Sequence, residues 1–258
     1  MPDYLFTADA RGRLAAAEAL LDSGTMHVLR QIGVTTGWSC LELGAGGGSI
    51  ARWLASIVGP SGRVTATDVA TEHLWVQPQT VQVRQHDVVR EPLEEAAFDL
   101  VHARLVLEHL PERDLVFRKL GKALRPGGWL VVEDVDYVSA VPVSQMGAEL
   151  HARTQAVRLD VFTRAGIAHQ LGRTLPARLR ALGLELVGNE ARAWVMEGGS
   201  PGAMWFKLSL DHLRPRLVGP GLLTDADIDQ MLVLFDDPEW SALSPLIVAA
   251  WGRRPSDT

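Results

Sequence analysis

Leu41-Glu42-Leu43-Gly44-Ala45-Gly46-Gly47-Gly48-Ser49 follows a short apolar run from Trp38. It feeds directly into the helical pattern Ile50-Ala51-Arg52-Trp53-Leu54-Ala55. Strand, glycine-rich turn and helix succeed one another, with an acid at the strand's end. Glycine at such a junction lets a ligand approach backbone N–H groups at a helix N-terminus. The rest of the chain reads as what serves a small molecule held at that turn.

Downstream, short apolar strands alternate with helical patterns. Strands are expected at Arg63–Thr67, Val81–Gln85, Phe98–Ala103 and Trp129–Val135, with helices at Ser49–Val58 and Pro111–Leu124 and a short helical piece at Thr71–Gln77. Near-continuous apolar strands in this rhythm mark a parallel sheet covered on both faces. Upstream, residues 13–32 have helical periodicity broken at Asp22-Ser23-Gly24-Thr25, which predicts two helices and a hinge. Beyond Asp136 come a helical stretch (Gly147–Leu171), then Thr174–Leu182 and the strand Glu185–Ala193. Helices at Met204–Leu217 and Thr224–Phe235 and a closing strand at Pro245–Trp251 complete the chain. The 258 residues suit one domain: N-terminal helices (1–35), a ligand-binding core (36–136) and helical insertions at 137–172 and 198–240.

Composition narrows the function classes. Apolar residues make up 47% and charged residues 22%, with net charge −6 and no Lys/Arg run longer than two. This disfavours disorder and a nucleic-acid partner. No apolar run is long enough to span a bilayer, and the N-terminus has no leader pattern, so a cytoplasmic protein without a membrane partner is expected. The Arg-over-Lys and Ala/Gly bias points to a GC-rich bacterial genome. The single cysteine, Cys40, reads as a small buried apolar residue, and no Cys/His spacing makes a metal site.

Glu42, Asp68 and Asp87 fall at the carboxyl ends of three successive strands. In an open α/β sheet that is where ligands bind. A carboxylate after the second strand can accept from a ribose diol, and one after the third from an adenine amino group. The rival is the dinucleotide fingerprint, but its sixth position is Ser49 here, and Glu42 would repel a diphosphate. A cationic, phosphate-free nucleoside fits better.

These residues resemble a known family. Glu42-Leu43-Gly44-Ala45-Gly46-Gly47-Gly48 is similar to the first motif of class I S-adenosylmethionine-dependent methyltransferases. Asp68 with Val69 matches the ribose-binding acid, and His86-Asp87-Val88 resembles the adenine-binding segment. Phe98–Arg104, Glu108-His109-Leu110-Pro111 and Leu124–Gly128 match the later motifs in order, over residues 36–136. The branch most resembled is the small-molecule type of quinone and natural-product biosynthesis. The resemblance implies a Rossmann-like, seven-stranded, mostly parallel sheet of order 3-2-1-4-5-7-6 with the last strand antiparallel. It also implies that Gly44, Ala45, Gly46 and Gly48 approach the methionine part of S-adenosylmethionine, and that backbone at Ala103 and Arg104 reaches its amino group. Tyr4, Arg13 and Thr25 belong to N-terminal helices that in the family fold over the cofactor.

The implied reaction is methyl transfer to a small, aromatic or secondary-metabolite acceptor. Candidate catalytic residues are His109, which also lies by the cofactor, and Asp134; His102 reads better as a satisfied core histidine. Asp134 and Asp136 flank Val135 and are expected to face opposite sides of the sheet, one toward the acceptor and the other a cap or ion-pair partner. Trp194, Trp205 and Phe162 are candidate acceptor contacts in the insertions, whereas His151, His169 and His212 read as surface residues. Alternatives are a macromolecule methyltransferase, or a protein of the same fold that binds the cofactor without methyl transfer. The oligomeric state is not legible, a homodimer being one candidate.

Overall fold

The apolar strands assemble into one mixed sheet whose order reverses beside the glycine turn. The computed structural model describes residues 10–74, 78–219 and 221–256. In chain order the elements begin with α1 (Ala10–Gln31), β1 (Ser39–Leu43), α2 (Ser49–Val58), β2 (Arg63–Asp68) and β3 (Val81–Gln85). β4 (Phe98–Arg104), α3 (Arg113–Ala123), β5 (Leu124–Asp136), β6 (Val141–Pro142), α4 (Ala148–Arg164) and α5 (Leu171–Ala181) follow. The last are β7 (Glu185–Arg192), β8 (Val195–Glu197), α6 (Pro201–Leu217), α7 (Asp225–Leu234), β9 (Ser241–Leu243) and β10 (Leu246–Arg253).

The seven-stranded sheet has the order β3-β2-β1-β4-β5-β10-β7. β1 through β5 pair in parallel, while β10 runs antiparallel to both β5 and β7. Counted within this sheet, that is 3-2-1-4-5-7-6 with an antiparallel last strand, as the resemblance implied. The chain builds outward from β1 on one side and then restarts with β4 on the other. A crevice therefore opens beyond the carboxyl ends of β1 and β4.

Strand alternation divides the core. Cys40, Leu100 and Val131 pack under α2 with Val28 and Leu29 of α1, while Leu41, Val101, Leu130 and Val132 pack under α3 and α5. Burial pushes the Cys40 thiol up, with Asp99 and Glu42 adding to it, so the group stays an inert thiol. A third apolar cluster sits beyond the sheet and joins α1 to α4, α6 and α7 through Leu21, Phe162, Trp205, Leu213 and Trp240.

Several local expectations are corrected. α1 is a single helix through Asp22-Ser23-Gly24-Thr25, because tertiary contacts outweigh local propensity there. A Cβ on Gly24 would fall 1.0 Å from the Arg192 guanidinium, and the Thr25 hydroxyl donates to Leu21 O. Residues 71–74 form a turn rather than a helix, and 75–77 lie outside the described residues. Pro111 precedes α3, which starts at Arg113 after a 3-10 turn at Leu107–His109. The Gly147–Leu171 stretch divides at Gly166, whose φ is +75°. His151 is buried, stacked on Trp240 at 5.6 Å between centroids, rather than at the surface.

One element carried no sequence signal. β6, β9 and β8 form a three-stranded antiparallel sheet. It joins segments flanking the two expected insertions, and strands of two or three residues are too short to show a period.

Trp240 is fully buried, with Phe235 edge-on at 4.9 Å. Trp240→Ala is expected to cost about 3–5 kcal/mol in urea unfolding. A loss below about 1 kcal/mol would show that the third cluster collapses around the gap and does not depend on this ring.

Candidate active site

Three backbone-level contacts shape the glycine turn. Gly44 N–H and Ala45 N–H both donate to Thr67 O, at 2.8 and 3.0 Å, which draws the turn against the end of β2. Gly46 N–H donates to Asp68 Oδ2 at 3.0 Å, and Ala70 N–H donates to Asp68 Oδ1 at 3.1 Å. Each Asp68 oxygen keeps a free lone pair for a ligand hydroxyl. Burial raises the Asp68 carboxyl, while backbone donors at Gly46, Ala70 and Val69 and the His73 charge oppose the rise. Gly44 must be glycine: its φ is +66°, and a Cβ would lie 2.2 Å from Val106 Cγ2.

Register explains the next layer. Glu42 on β1 stands opposite His102 on β4, and His102 Nδ1 lies 2.7 Å from Glu42 Oε2. His102 Nε2 reaches Glu133 Oε1 at 3.2 Å, and Arg192 donates to Glu133 Oε2 at 3.0 Å. Burial disfavours charge on His102, but the two carboxylates outweigh it and raise the imidazole to about 9. Burial likewise works against the Glu133 charge, and the His102 hydrogen bond still holds that carboxyl below its usual range. His102 is thus a satisfied, doubly hydrogen-bonded cation beneath the turn.

α1 is clamped over the same turn. Arg104 donates to Thr25 Oγ1 and to Asp22 Oδ1, both at 2.8 Å, and Ser49 Oγ donates to Asp22 Oδ1 at 3.1 Å. At the end of β4, Leu105 adopts φ +56°, an uncommon conformation for leucine and a strain seen at functional sites.

Beyond the strand ends lies a cavity of about 260 Å³. Its sheet side is formed by Glu42, Gly44, Ala45, Gly46, Asp68, Val69, His86, Val88, Arg104 and His109. Arg13 and Glu18 of α1 and Phe162 and Trp205 of the helical segments also line it. Other expected residues lie elsewhere. Gly48 caps α2 with φ +83°. The Asp87 carboxylate accepts from Val89 N–H at 3.0 Å and pairs with Arg90, turning away from the cavity. Ala103 is buried in the sheet core, and Thr25 is buried behind Arg104. Trp194 packs beside the third cluster with its backbone bonded to Ser244. Tyr4 lies outside the described residues.

Asp134 and Asp136 are not on opposite sides of the sheet, because residues two apart share a strand face, and neither lines the cavity. Asp136 pairs with Arg173 through both oxygens and caps Val138 N–H. Asp134 is wholly buried off the cavity, beside the backbone N–H groups of Leu107 and Glu108. It faces Glu108, which does line the cavity. Burial raises both carboxyls well above their usual range, and Asp134 raises Glu108 further against the pull of Arg158. His109 Nε2 lies 3.3 Å from Glu108 Oε1. Burial, then the Arg13 charge, pushes His109 down to about 4, so its imidazole is neutral.

The residues missed in sequence are Glu18, Tyr137 and Arg158, all of which line the cavity, as do Glu108 and Phe206. Arg158 had a legible signal. Leu150, Thr154, Arg158 and Phe162 recur every four residues on the buried face of α4, and an arginine on an inward stripe is a binding candidate.

The sheet order and this strand-end site define a Rossmann-like α/β architecture. Residues 41–132 match the family model described as a methyltransferase domain. Methyltransferase str2 of Strobilurus tenacellus is 32% identical over 142 residues, covering 55% of this chain and 51% of str2. Methyltransferase GfsG of Streptomyces halstedii is 27% identical over 203 residues, covering 66% of this chain and 72% of GfsG. The phosphoethanolamine N-methyltransferase 2 of Haemonchus contortus was solved with phosphomonomethylethanolamine and S-adenosylhomocysteine. It superposes with a TM-score of 0.59 at 15% identity, covering 98% of this chain and 59% of that one. Residues 41–132 are thus similar to a methyltransferase domain, and the chain spans about half the length of str2.

Because folding raises His102 from 6.5 to about 9, its stabilising charge is fully present below about pH 6.5 and lost as pH rises through about 9. Stability is therefore expected to fall by roughly 3 kcal/mol between pH 6.5 and 10. Chemical denaturation at stepped pH tests this; a flat profile, or the same fall in His102→Gln, would remove the charged-histidine assignment.

Proposed function

We propose that the chain transfers a methyl group from S-adenosylmethionine to a small-molecule acceptor. The observation that carries this reading is one cavity that is acidic and glycine-lined on the sheet side and aromatic on the helical side. The residues suit the donor. Asp68 has lone pairs for a ribose diol, and His86 and Val88 form a wall for the adenine. Gly44 to Gly46 leave room for the methionine chain, and Glu18 and Glu42 complement a cation. The relatives named as methyltransferases support the reaction class.

Bound S-adenosylmethionine supplies a methyl on a positively charged sulfur, which departs as a neutral thioether as the acceptor's lone pair forms the new bond. The chain's own part is to position the partners and exclude water. Segments 137–172 and 198–240 form the acceptor cap in this reading, with Phe162 and Trp205 as walls. His109, neutral at physiological pH, accepts the acceptor's hydrogen bond or proton. Asp134 acts through Glu108 as a positioning residue. The reading places the protein in the cytoplasm; among the described residues no helix is long and apolar enough to cross a membrane.

Asp68→Ala should weaken S-adenosylhomocysteine binding by about 1.5–3 kcal/mol, the worth of hydrogen bonds to a charged group. Unchanged calorimetric affinity would remove the ribose assignment. Against a metabolite panel screened for methylated product, His109→Asn should lower kcat by about 100-fold for a hydroxyl acceptor while sparing donor affinity. An unaltered kcat would exclude His109 as the proton acceptor.

A further inference from the structure

The helical side of the cavity contains a buried cation. Arg158 of α4 keeps only 7% exposure and lines the cavity. Its guanidinium carbon lies 5.1 Å from the ring centroids of both Tyr137 and Phe206. The guanidinium donates to Gln155 Oε1, and the Gln155 amide donates to Tyr137 O at 2.6 Å. Two rings and an amide anchored to backbone thus fix its orientation.

Arg158 forms no salt bridge among the described residues. Its Nε has no hydrogen-bond partner, and its hydrogen bond goes to a neutral amide. The nearby acid, Glu108, has its carboxyl raised well above the usual range by burial and then by Asp134, which weakens it as a charge partner. Burial lowers Arg158 to about 10, which still leaves it charged near neutral pH. A charge removed from water without a partner costs several kcal/mol. Hydrogen-bonding and stacking to neutral groups offset only part of that cost.

Glu18, Glu42 and Asp68 lie on the side of the glycine turn, where Arg104 is paired with Asp22, while Arg158 lies among aromatic rings on the side of the cap with no salt bridge. A cation suits the first region and an anion the second.

We propose that Arg158 selects the acceptor, and that the acceptor is an aromatic or otherwise unsaturated molecule bearing an anionic oxygen, a carboxylate or an ionised enol or phenol, seated between Phe162, Trp205 and Phe206. A planar guanidinium held by rings grips such an oxygen in a fixed direction, which orients the rest of the acceptor toward the donor. This inference rests on the acceptor-site reading above for its meaning, but the preference for an anion can be measured separately.

The test uses 4-hydroxybenzoate and its neutral amide, 4-hydroxybenzamide, titrated by calorimetry into the protein with and without S-adenosylhomocysteine. The acid is expected to bind about tenfold or more tighter than the amide. Arg158→Met should bring the two within about twofold, with Arg158→Lys between, and S-adenosylhomocysteine affinity unchanged in both variants. Equal binding of the two probes to the unsubstituted protein, no binding of either, or a preference that survives Arg158→Met overturns the proposal. Failure of S-adenosylhomocysteine to bind would instead overturn the donor reading, and the acid-over-amide preference would still be read on the free protein.

Discussion

A histidinium buried between two carboxylates underlies the site. Glu42 is the acid next to the glycine turn, and alone it would be a nearly inaccessible carboxylate at a sheet's end. His102 neutralises it from the adjacent strand, Glu133 balances His102, and Arg192 closes the line from β7. The alternating charges compensate one another, so a polar row can cross the interior of an otherwise apolar sheet. Strand register is what makes this possible, because it sets Glu42 opposite His102 and Arg104 opposite Glu133.

The same register feeds the lid. Arg104 leaves the end of β4 and ties α1 to the sheet through Asp22 and Thr25, and Ser49 at the start of α2 shares Asp22. The helix covering the cavity is therefore bonded to the end of β4 and to the start of α2. Its other face packs into the third apolar cluster with α6, so one helix borders both the donor region and the acceptor region.

How far the sequence could be read follows from where the physics is local. The turn at Gly44–Gly48, the boundaries of α2 and β3 and the strand order depend on patterning within short windows, or on the motif order of a resembled family. The hinge expected at Asp22–Thr25 failed because those residues are weak helix formers held in place by partners far away in sequence. Asp87 followed the third strand as expected, yet local N–H groups took its carboxylate. Trp194 and Trp205 were indistinguishable as aromatic residues, and only three-dimensional packing sets Trp205 at the cavity and Trp194 away from it. Asp134 stood out as an acid at a strand end, but the neighbouring Glu108 is the one that faces the cavity.

Gly24 has a consequence for mutational tolerance. Glycine inside a helix costs about 1 kcal/mol relative to alanine, and replacing such a glycine is ordinarily a reliable way to stabilise a protein. Here the Cβ of an alanine would occupy the space of the Arg192 guanidinium. The guanidinium would have to shift, which disturbs its hydrogen bond to Glu133 and with it the compensation running back to Glu42. A substitution on the outer helix would thus reach the first strand through side chains alone. The helix is less stable than it could be at that position, and the charge line beneath it is the reason.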